Sequence, residues 1–146
     1  MKALLFLARR FAFEPFAAAL PEAGRPAGGE DERLPPPQRV EEAVVAFIHC
    51  EEEDAAKRSS VFTRTLKQIK WLAGKREFRR VVLHSFTHLS TSKAPPEFAQ
   101  SLLEELAGRL RQNGYEVVLT PFGFTCAWEL EVYGETLAKV FVDISP

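Results

Sequence analysis

One uninterrupted apolar run, Ala43–Ile48, constrains the fold more than any other feature of the sequence. An apolar run of strand length without polar alternation is typical of a strand buried on both faces, at the centre of a covered sheet. The segments 2–7 and 81–86 also have strand character and predict two further strands. The pattern therefore predicts a sheet with the apolar run as a central strand.

Two helices are predicted along the chain. The first spans about 59–73, with a serine able to cap its start and a glycine after its end. The second spans about 95–113 and is entered through two prolines and ended by an Asn-Gly pair. Apolar residues recur at helical spacing in both, so each helix has one face to bury. In the first helix, Arg64, Lys67 and Lys70 form an exposed basic stripe.

The C-terminal part of the chain predicts three more strands. Residues 115–119 form the first, and a turn leads to the second, in which apolar and polar side chains alternate from 124 to 132. Gly134 marks a hairpin turn into the last strand, 137–144. The element order ββαβαβββ predicts an α/β fold, a mixed β-sheet with two packed helices.

Residues 15–40 differ from the rest, since they are rich in Pro, Gly, Ala and Glu. This composition predicts a long irregular connection, partly disordered, inside a single domain of residues 1–146. Two cysteines, Cys50 and Cys126, are too few for a disulfide framework, so reduced thiols in a cytoplasmic protein are expected. No apolar stretch is long enough to span a bilayer, and no contact with a membrane is expected.

Charge is distributed unevenly, although the formal net charge is only −1. Residues 22–54 contain ten acids and three arginines, whereas residues 57–80 contain nine basic residues and one acid. A basic segment of this kind contacts nucleic-acid phosphates or forms a solvated helix face. The charges alone leave both interpretations open.

Polar residues that could carry chemistry gather at the end of the strand 81–86 and in the loop after it. They are His84, Thr87, His88, Ser90 and Thr91. Loops at strand ends often form sites in α/β sheets, although a histidine there can also serve only to satisfy backbone carbonyls. The sequence contains no Walker loop, nucleophile elbow or metalloprotease motif.

The spacing of the histidines and cysteines does not favour metal or thiol chemistry. Three histidines and two cysteines match no zinc pattern, so neither a metal nor another cofactor is expected. Cys126 shares the apolar face of its strand with Phe124 and Trp128, which favours a packed, inert thiol over a nucleophile.

Four short segments occur in an order and spacing that resemble a known family. They are Ala46-Phe47-Ile48, Phe86-Thr87-His88-Leu89-Ser90-Thr91 with a proline downstream, Asn113-Gly114-Tyr115, and Pro121-Phe122-Gly123-Phe124. Together they resemble the archaeal-type editing domain of threonyl-tRNA synthetase, whose fold is that of the D-aminoacyl-tRNA deacylases. The resemblance covers essentially the whole chain.

The resemblance implies a hydrolase that removes serine from wrongly charged threonine tRNA. Serine lacks one methyl group of threonine, a difference that binding alone discriminates poorly, so a second, hydrolytic selection step is needed. The resemblance also implies a homodimer. In this family, water attacks with the help of the ribose hydroxyl of the substrate, and side chains contribute little acid or base.

The resemblance also implies the site residues. His88 falls on the catalytic histidine position, and backbone atoms of the pocket hold the aminoacyl group at the tRNA 3′ end. The implied substrate-binding residues are Ala46, Phe47, Ile48, Phe86, Phe122, Gly123, Phe124, Thr125 and Cys126.

Several positions depart from the family pattern, among them Leu7-Ala8-Arg9-Arg10, where members have a polar segment. Members continue P-F-G-Y-Y-K, whereas this chain has Thr125 in place of the second tyrosine and Cys126 in place of the lysine. Lys139 stands where the family has an acidic residue on the last strand. A hairpin that pairs Cys126 with the region of Lys139 would bring this lysine into the pocket as a catalytic charge.

The sequence thus predicts a freestanding editing-domain homologue, a trans-acting deacylase of seryl-tRNA(Thr), with threonyl-tRNA synthetase as a candidate partner. The residues expected to contact tRNA are Arg64, Lys67, Lys70, Arg79 and Arg80. Two alternatives stay open. One is a catalytically degenerate module that binds aminoacyl-tRNA, an amino acid or a synthetase, and the other is a metal or small-molecule binder at His84 and His88.

Overall fold

A computed structural model describes residues 1–20 and 34–144 and confirms the element order ββαβαβββ. The strands are β1 (Lys2–Ala18), β2 (Gln38–His49), β3 (Arg80–Ser85), β4 (Glu116–Leu119), β5 (Phe124–Val132) and β6 (Lys139–Asp143). The helices are α1 (Arg58–Gly74) and α2 (Pro96–Gln112). Short 3₁₀ helices at Glu52–Lys57 and Thr136–Ala138 precede α1 and β6.

β2 lies in the middle of the sheet. The strands follow the order β4-β3-β2-β1-β5, and β6 also pairs with β1. β2, β3 and β4 are parallel to one another, whereas β1 is antiparallel to β2, β5 and β6. All residues from Ala43 to Ile48 are buried, as expected for a strand covered on both faces. The predicted α/β class, a mixed sheet with two packed helices, is confirmed.

β1 is much longer than the sequence predicted. It runs from Lys2 to Ala18, and β2 begins at Gln38, so both ends of the segment 15–40 are strand rather than irregular. The part of that prediction that concerns residues 21–33 lies outside the described residues. The prediction was wrong at the ends because two consecutive arginines after position 8 interrupt the apolar alternation and resemble the end of a strand.

β5 and β6 lie end to end along the same edge of β1. Cys126 is opposite Pro15, and Lys139 is opposite Phe6. These two positions on β1 are nine residues apart, about 30 Å in an extended strand. The predicted pairing of Cys126 with the region of Lys139 is therefore wrong. The physical reason is the length of β1, whose 17 residues accommodate two partner strands in succession.

Both helices cover one face of the sheet. Their apolar side chains form a core with Leu5 and Leu7 of β1, Ile48 of β2 and Leu83 of β3. Successive side chains of a strand point to opposite faces, so the residues between these face the other side of the sheet. That second side has its own apolar core, centred on Phe47.

The face of the sheet opposite the helices is covered by another part of the same sheet. Trp128 of β5 pairs with Phe13, and Phe47 of β2 pairs with Leu4, two positions nine residues apart along β1. An extended strand would separate them by about 30 Å, yet the rings of Trp128 and Phe47 lie 5.2 Å apart. The antiparallel pair of β1 and β2, here called the ribbon, must therefore bend. Its half around Phe13 then packs against its half around Leu4.

The bend in the ribbon lies near residues 8–10. The register between β1 and β5 shifts between Ala8 and Arg10, which indicates a β-bulge. Opposite this bulge, Glu42 of β2 has a φ of 53°, in the left-handed region. A bulge strengthens the local twist and bends the strand, which lets the two halves of the sheet face each other.

Phe47 holds the folded ribbon together. Its ring contacts five other rings at centroid distances of 4.9 to 6.1 Å, and its side chain is 2% exposed. These partners are Phe6, Phe11, His84, Phe86 and Trp128. Strands β1, β2, β3 and β5 thus meet at one side chain.

Replacing Phe47 should weaken the whole fold. We expect Phe47→Ala to lower the free energy of unfolding by about 3–5 kcal/mol, since it opens a cavity among five rings, and Phe47→Leu to lower it by less. Phe141→Ala is the matched control, because Phe141 is 57% exposed and should cost no more than about 0.5 kcal/mol. Denaturant unfolding measures all three, and equal losses at the two positions would contradict the central role of Phe47.

Candidate active site

A cleft of about 450 Å³ opens where β3 and β4 end. Loops that follow parallel strands meet at the same edge of a sheet, which is where α/β proteins commonly bind ligands. One wall is the loop after β3, and the other is the turn before β5 with the start of β5. The polar lining residues include Cys50, His84, Thr87, His88, Lys93, Thr120, Thr125 and Cys126, and the aromatic ones are Phe86, Phe122, Phe124 and Trp128.

The cleft brings together most of the catalytic and substrate-binding residues predicted from the sequence. Phe86, His88 and residues 122–126 all line it. Residues 46–48 are absent from its described lining and are buried in the middle of the sheet behind it. The part that each of these residues has in binding or catalysis stays a prediction.

Lys139 lies apart from this cleft. β6 pairs with the first part of β1, and the Lys139 ammonium donates a 3.0 Å hydrogen bond to the carbonyl of Tyr133. The expectation that Lys139 restores the missing family lysine depended on the incorrect hairpin, and the described lining of the cleft does not include it. The cationic side chain in that lining is Lys93, which sequence reasoning missed because no motif contains it.

The turn between β4 and β5 depends on Gly123. This glycine has a φ of 84°, a backbone conformation that is strained for residues with a side chain. The N–H of Phe124 donates a hydrogen bond to the carbonyl of Pro121 at 3.4 Å and closes the turn. The carbonyl of Gly123 also accepts the N–H groups of Ala19 and Leu20, at 2.6 and 3.2 Å. The turn therefore ties the end of β1 to the wall of the cleft.

The loop after β3 is held by His49, which is buried at the end of β2. The N–H of Leu89 donates to Nδ1 of His49 at 3.1 Å, and Nε2 lies 2.6 Å from the carbonyl of Ser92. Nδ1 accepts, so the ring proton that satisfies both contacts is on Nε2. One neutral imidazole thus fixes two points of the loop, a role that the spacing of His49 gave no reason to expect.

Glu51 joins the same loop to the N-terminus. Its carboxylate accepts a hydrogen bond from the Ser90 hydroxyl at 2.6 Å and lies 2.8 Å from the α-ammonium of Met1 and 2.9 Å from the Lys2 ammonium. Burial alone would raise the pKa of Glu51, but hydrogen bonds from Met1, Ser90 and Lys2 outweigh it and lower the pKa to about 2. The Met1 α-ammonium is also 2.9 Å from the buried carboxylate of Asp54.

The charge of Glu51 should stabilise the fold in a defined pH range. A carboxyl whose pKa falls from 4.5 to about 2 on folding contributes stability above pH 4.5, and the contribution is lost as the pH falls toward 2. We expect Glu51→Gln to lower the free energy of unfolding by about 2 kcal/mol at pH 7, and the difference from the unmodified chain to shrink below pH 4.5.

Glu53→Gln is the matched control for this prediction, because Glu53 is an exposed carboxylate two residues away. Its effect should stay below about 0.5 kcal/mol at any pH. Urea unfolding at a series of pH values gives both curves. A loss for Glu51→Gln that is constant down to pH 2 would contradict the assignment.

His84 sits at the inner end of the cleft as a neutral imidazole. Burial lowers its pKa to about 4, and its Nδ1 lies 2.8 Å from the Thr120 hydroxyl. Nε2 has no hydrogen bond within the described part of the chain and is not sealed from solvent. The cleft therefore contains an uncharged ring nitrogen that can donate or accept a hydrogen bond at neutral pH.

Both thiols of the chain line the cleft in their protonated form. Burial raises the pKa of Cys126, and it raises the pKa of Cys50 to about 12. The thiolate is the nucleophilic form of cysteine, so neither side chain is activated for attack at neutral pH. The geometry supports the interpretation of Cys126 as a packed thiol.

The basic residues expected to contact tRNA lie away from the walls of the cleft. Arg79 and Arg80 precede and begin β3, whose other end borders the cleft, and Arg80 pairs with Glu116 at 3.3 Å. Lys70 of α1 donates to the side chain of Asn113 at 3.1 Å. Contact between this basic stripe and tRNA stays a prediction.

Across residues 1–20 and 34–144, no group of three or more His, Cys, Asp and Glu side chains is arranged to hold a metal ion. Within the same residues, none of the helices combines the length and the apolar character that crossing a bilayer requires.

The mixed six-stranded sheet with two helices, and the cleft where its parallel strands end, define the class of this protein as α/β. A solved structure titled c-Myc DNA Unwinding Element Binding Protein matches 100% of this chain and 99% of its own, with a TM-score of 0.65. Sequence identity to it is 14%, so the likeness is one of fold.

The family within this class follows from the sequence match. A family model described as the archaea-specific editing domain of threonyl-tRNA synthetase matches residues 1–144. The chain belongs to this family, and the resemblance seen in the motifs is confirmed.

Relatives named threonine–tRNA ligase also match the chain, and each is much longer than it. The threonine–tRNA ligase of Thermococcus kodakarensis is 32% identical over 108 residues, 74% of this chain and 17% of the ligase. That of Nitrosopumilus maritimus is 36% identical over 110 residues, 75% of this chain and 17% of the ligase. The chain thus spans about a sixth of the length of the ligases that it matches.

Proposed function

We propose that this chain is an aminoacyl-tRNA deacylase that hydrolyses seryl-tRNA(Thr), the product of attaching serine to the threonine tRNA. The observation that carries the proposal is the family match over residues 1–144. The cleft supports it, because the loop that contains His88 and the turn 121–124 form its two walls.

The proposed reaction is the hydrolysis of one ester. The oxygen of a water molecule adds to the carbonyl carbon of the seryl group, and the carbonyl oxygen takes the negative charge. The bond between this carbon and the ribose oxygen then breaks, and the ribose oxygen takes a proton from the added water. Serine leaves as the carboxylate, its remaining acidic proton passes to solvent, and the tRNA regains its terminal hydroxyl.

The lining of the cleft suits a mechanism in which the protein orients the ester rather than supplying a strong base. His84 is neutral, both thiols are protonated, and the described lining contains no carboxylate. Attack by water assisted by the neighbouring ribose hydroxyl requires none of these groups. The walls then contribute position and hydrogen bonds, which can supply much of a rate enhancement.

Selectivity between serine and threonine rests on one methyl group. Phe86, Phe122 and Phe124 narrow the cleft with rigid rings. A pocket shaped for serine rejects the additional methyl of threonine by about 1–3 kcal/mol, and hydrolysis then acts on the ester that fits.

A deacylation assay tests the proposal. We expect the chain to hydrolyse seryl-tRNA(Thr) slowly and to spare threonyl-tRNA(Thr). Cys126→Ser should keep the rate within about twofold, since a protonated thiol is not a nucleophile. Cys126→Lys, which restores the lysine of the family pattern, should raise the rate by about tenfold or more, because a cation then faces the developing negative charge.

The results that oppose the proposal are distinct. Loss of turnover in Cys126→Ser would make the thiol catalytic and the mechanism wrong. Binding of seryl-tRNA without hydrolysis of any aminoacyl ester by the unmodified chain would favour the second candidate, a binding module for the aminoacylated RNA end. The observation behind that candidate is Cys126 itself, a neutral side chain at the position of the family lysine.

The proposal extends to the setting of the reaction. The chain acts in trans, in the cytoplasm, on tRNA charged by a threonyl-tRNA synthetase, and it does so as a homodimer. Exposed lysines of α1, among them Lys67, contact the body of the tRNA while its 3′ end occupies the cleft. Membership of the editing-domain family and the exposure of the basic stripe support the contact with tRNA.

A further inference from the structure

We propose that Lys93 is the phosphate-binding residue of the cleft and holds a phosphodiester next to the end of a single-stranded RNA. The inference goes beyond the deacylase proposal in naming the residue and the group that it binds. It rests on that proposal for the nature of the ligand.

Lys93 differs in charge from the other described residues that line the cleft. Among the described lining residues it is the single Lys or Arg, and no Asp or Glu accompanies it. Lys93 is exposed, and its ammonium makes no ion pair or hydrogen bond to the described part of the chain. An anion that enters the cleft therefore meets one cation with its charge unpaired.

The backbone on both sides of Lys93 is fixed. The carbonyl of Ser92 is 2.6 Å from the buried imidazole of His49, and the N–H of Ser92 donates to the Ser90 hydroxyl at 3.2 Å. The N–H of Ala94 donates to the carbonyl of Cys50 at 3.0 Å. A lysine on an anchored backbone loses less conformational freedom when it binds, so its position favours a ligand at a defined place.

The other lining residues indicate which anion fits. Aromatic rings from both walls line the same cleft, and the Trp128 side chain is 42% exposed to solvent. Flat rings that stack on bases, next to a cation that contacts the backbone, are the combination by which proteins hold single-stranded RNA. A small inorganic anion would use the charge but not the rings.

The test uses the intrinsic fluorescence of Trp128 in the full chain. Trp71→Phe removes the other tryptophan, so the remaining emission reports on the cleft. The ligand is a four-nucleotide RNA with the sequence of a tRNA 3′ end, titrated at a series of salt concentrations. Lys93→Ala, Lys93→Arg and the control Lys75→Ala are compared in this background, since Lys75 follows α1, away from the cleft.

We expect Lys93→Ala to reduce the slope of log K against log salt by about 0.7, the contribution of one phosphate contact on a single strand. Lys93→Arg and Lys75→Ala should keep the slope of the parent. An unchanged slope in Lys93→Ala, an equal reduction in Lys75→Ala, or no binding by the parent at low salt would each overturn the inference.

This outcome is separable from that of the proposed function. RNA binding with a slope that depends on Lys93, together with no hydrolysis of any aminoacyl-tRNA, would refute the deacylase and leave the phosphate site standing. Hydrolysis of seryl-tRNA, together with an RNA affinity that Lys93→Ala does not change, would support the deacylase and refute the phosphate site.

Discussion

The packing of Trp128 against Phe47 is the contact on which the rest of the structure depends. The two ring centroids are 5.2 Å apart. This contact holds the bent pair of β1 and β2 in place and packs β5 against β2. The turn 121–124 leads into β5, so this packing also positions one wall of the cleft. The burial of large rings supplies the stability, and the closed geometry follows from the bend at residues 8–10.

The opposite wall is held by polar contacts rather than by apolar packing. His49 at the end of β2 binds the backbone of the loop 89–92, and Glu51, two residues further on, accepts a hydrogen bond from the Ser90 hydroxyl. A site whose walls are fixed in these two ways can orient a substrate without a strong acid or base in its lining, which fits the hydrolysis proposed here.

The sequence was sufficient for the fold class and for most of the cleft. The uninterrupted apolar run identified β2, and apolar periodicity identified both helices. The motifs located the loop of His88 and the turn of Gly123. It failed where the outcome depended on long-range pairing, since nothing local shows that one strand bends and takes two partners along one edge. For the same reason the sequence did not indicate Lys93, because only the folded chain shows which lysine lies beside the cleft.

The most direct test of the account is to locate the bound aminoacyl end by NMR. The ligand is a seryl-adenosine in which nitrogen replaces the ester oxygen, so that it binds without being hydrolysed, and the observable is the set of backbone amide shifts of the full chain. We expect the largest shifts in the two walls of the cleft, residues 85–94 and 121–128. Shifts confined to α1 and the start of β3, or no saturable shifts at millimolar ligand, would contradict it.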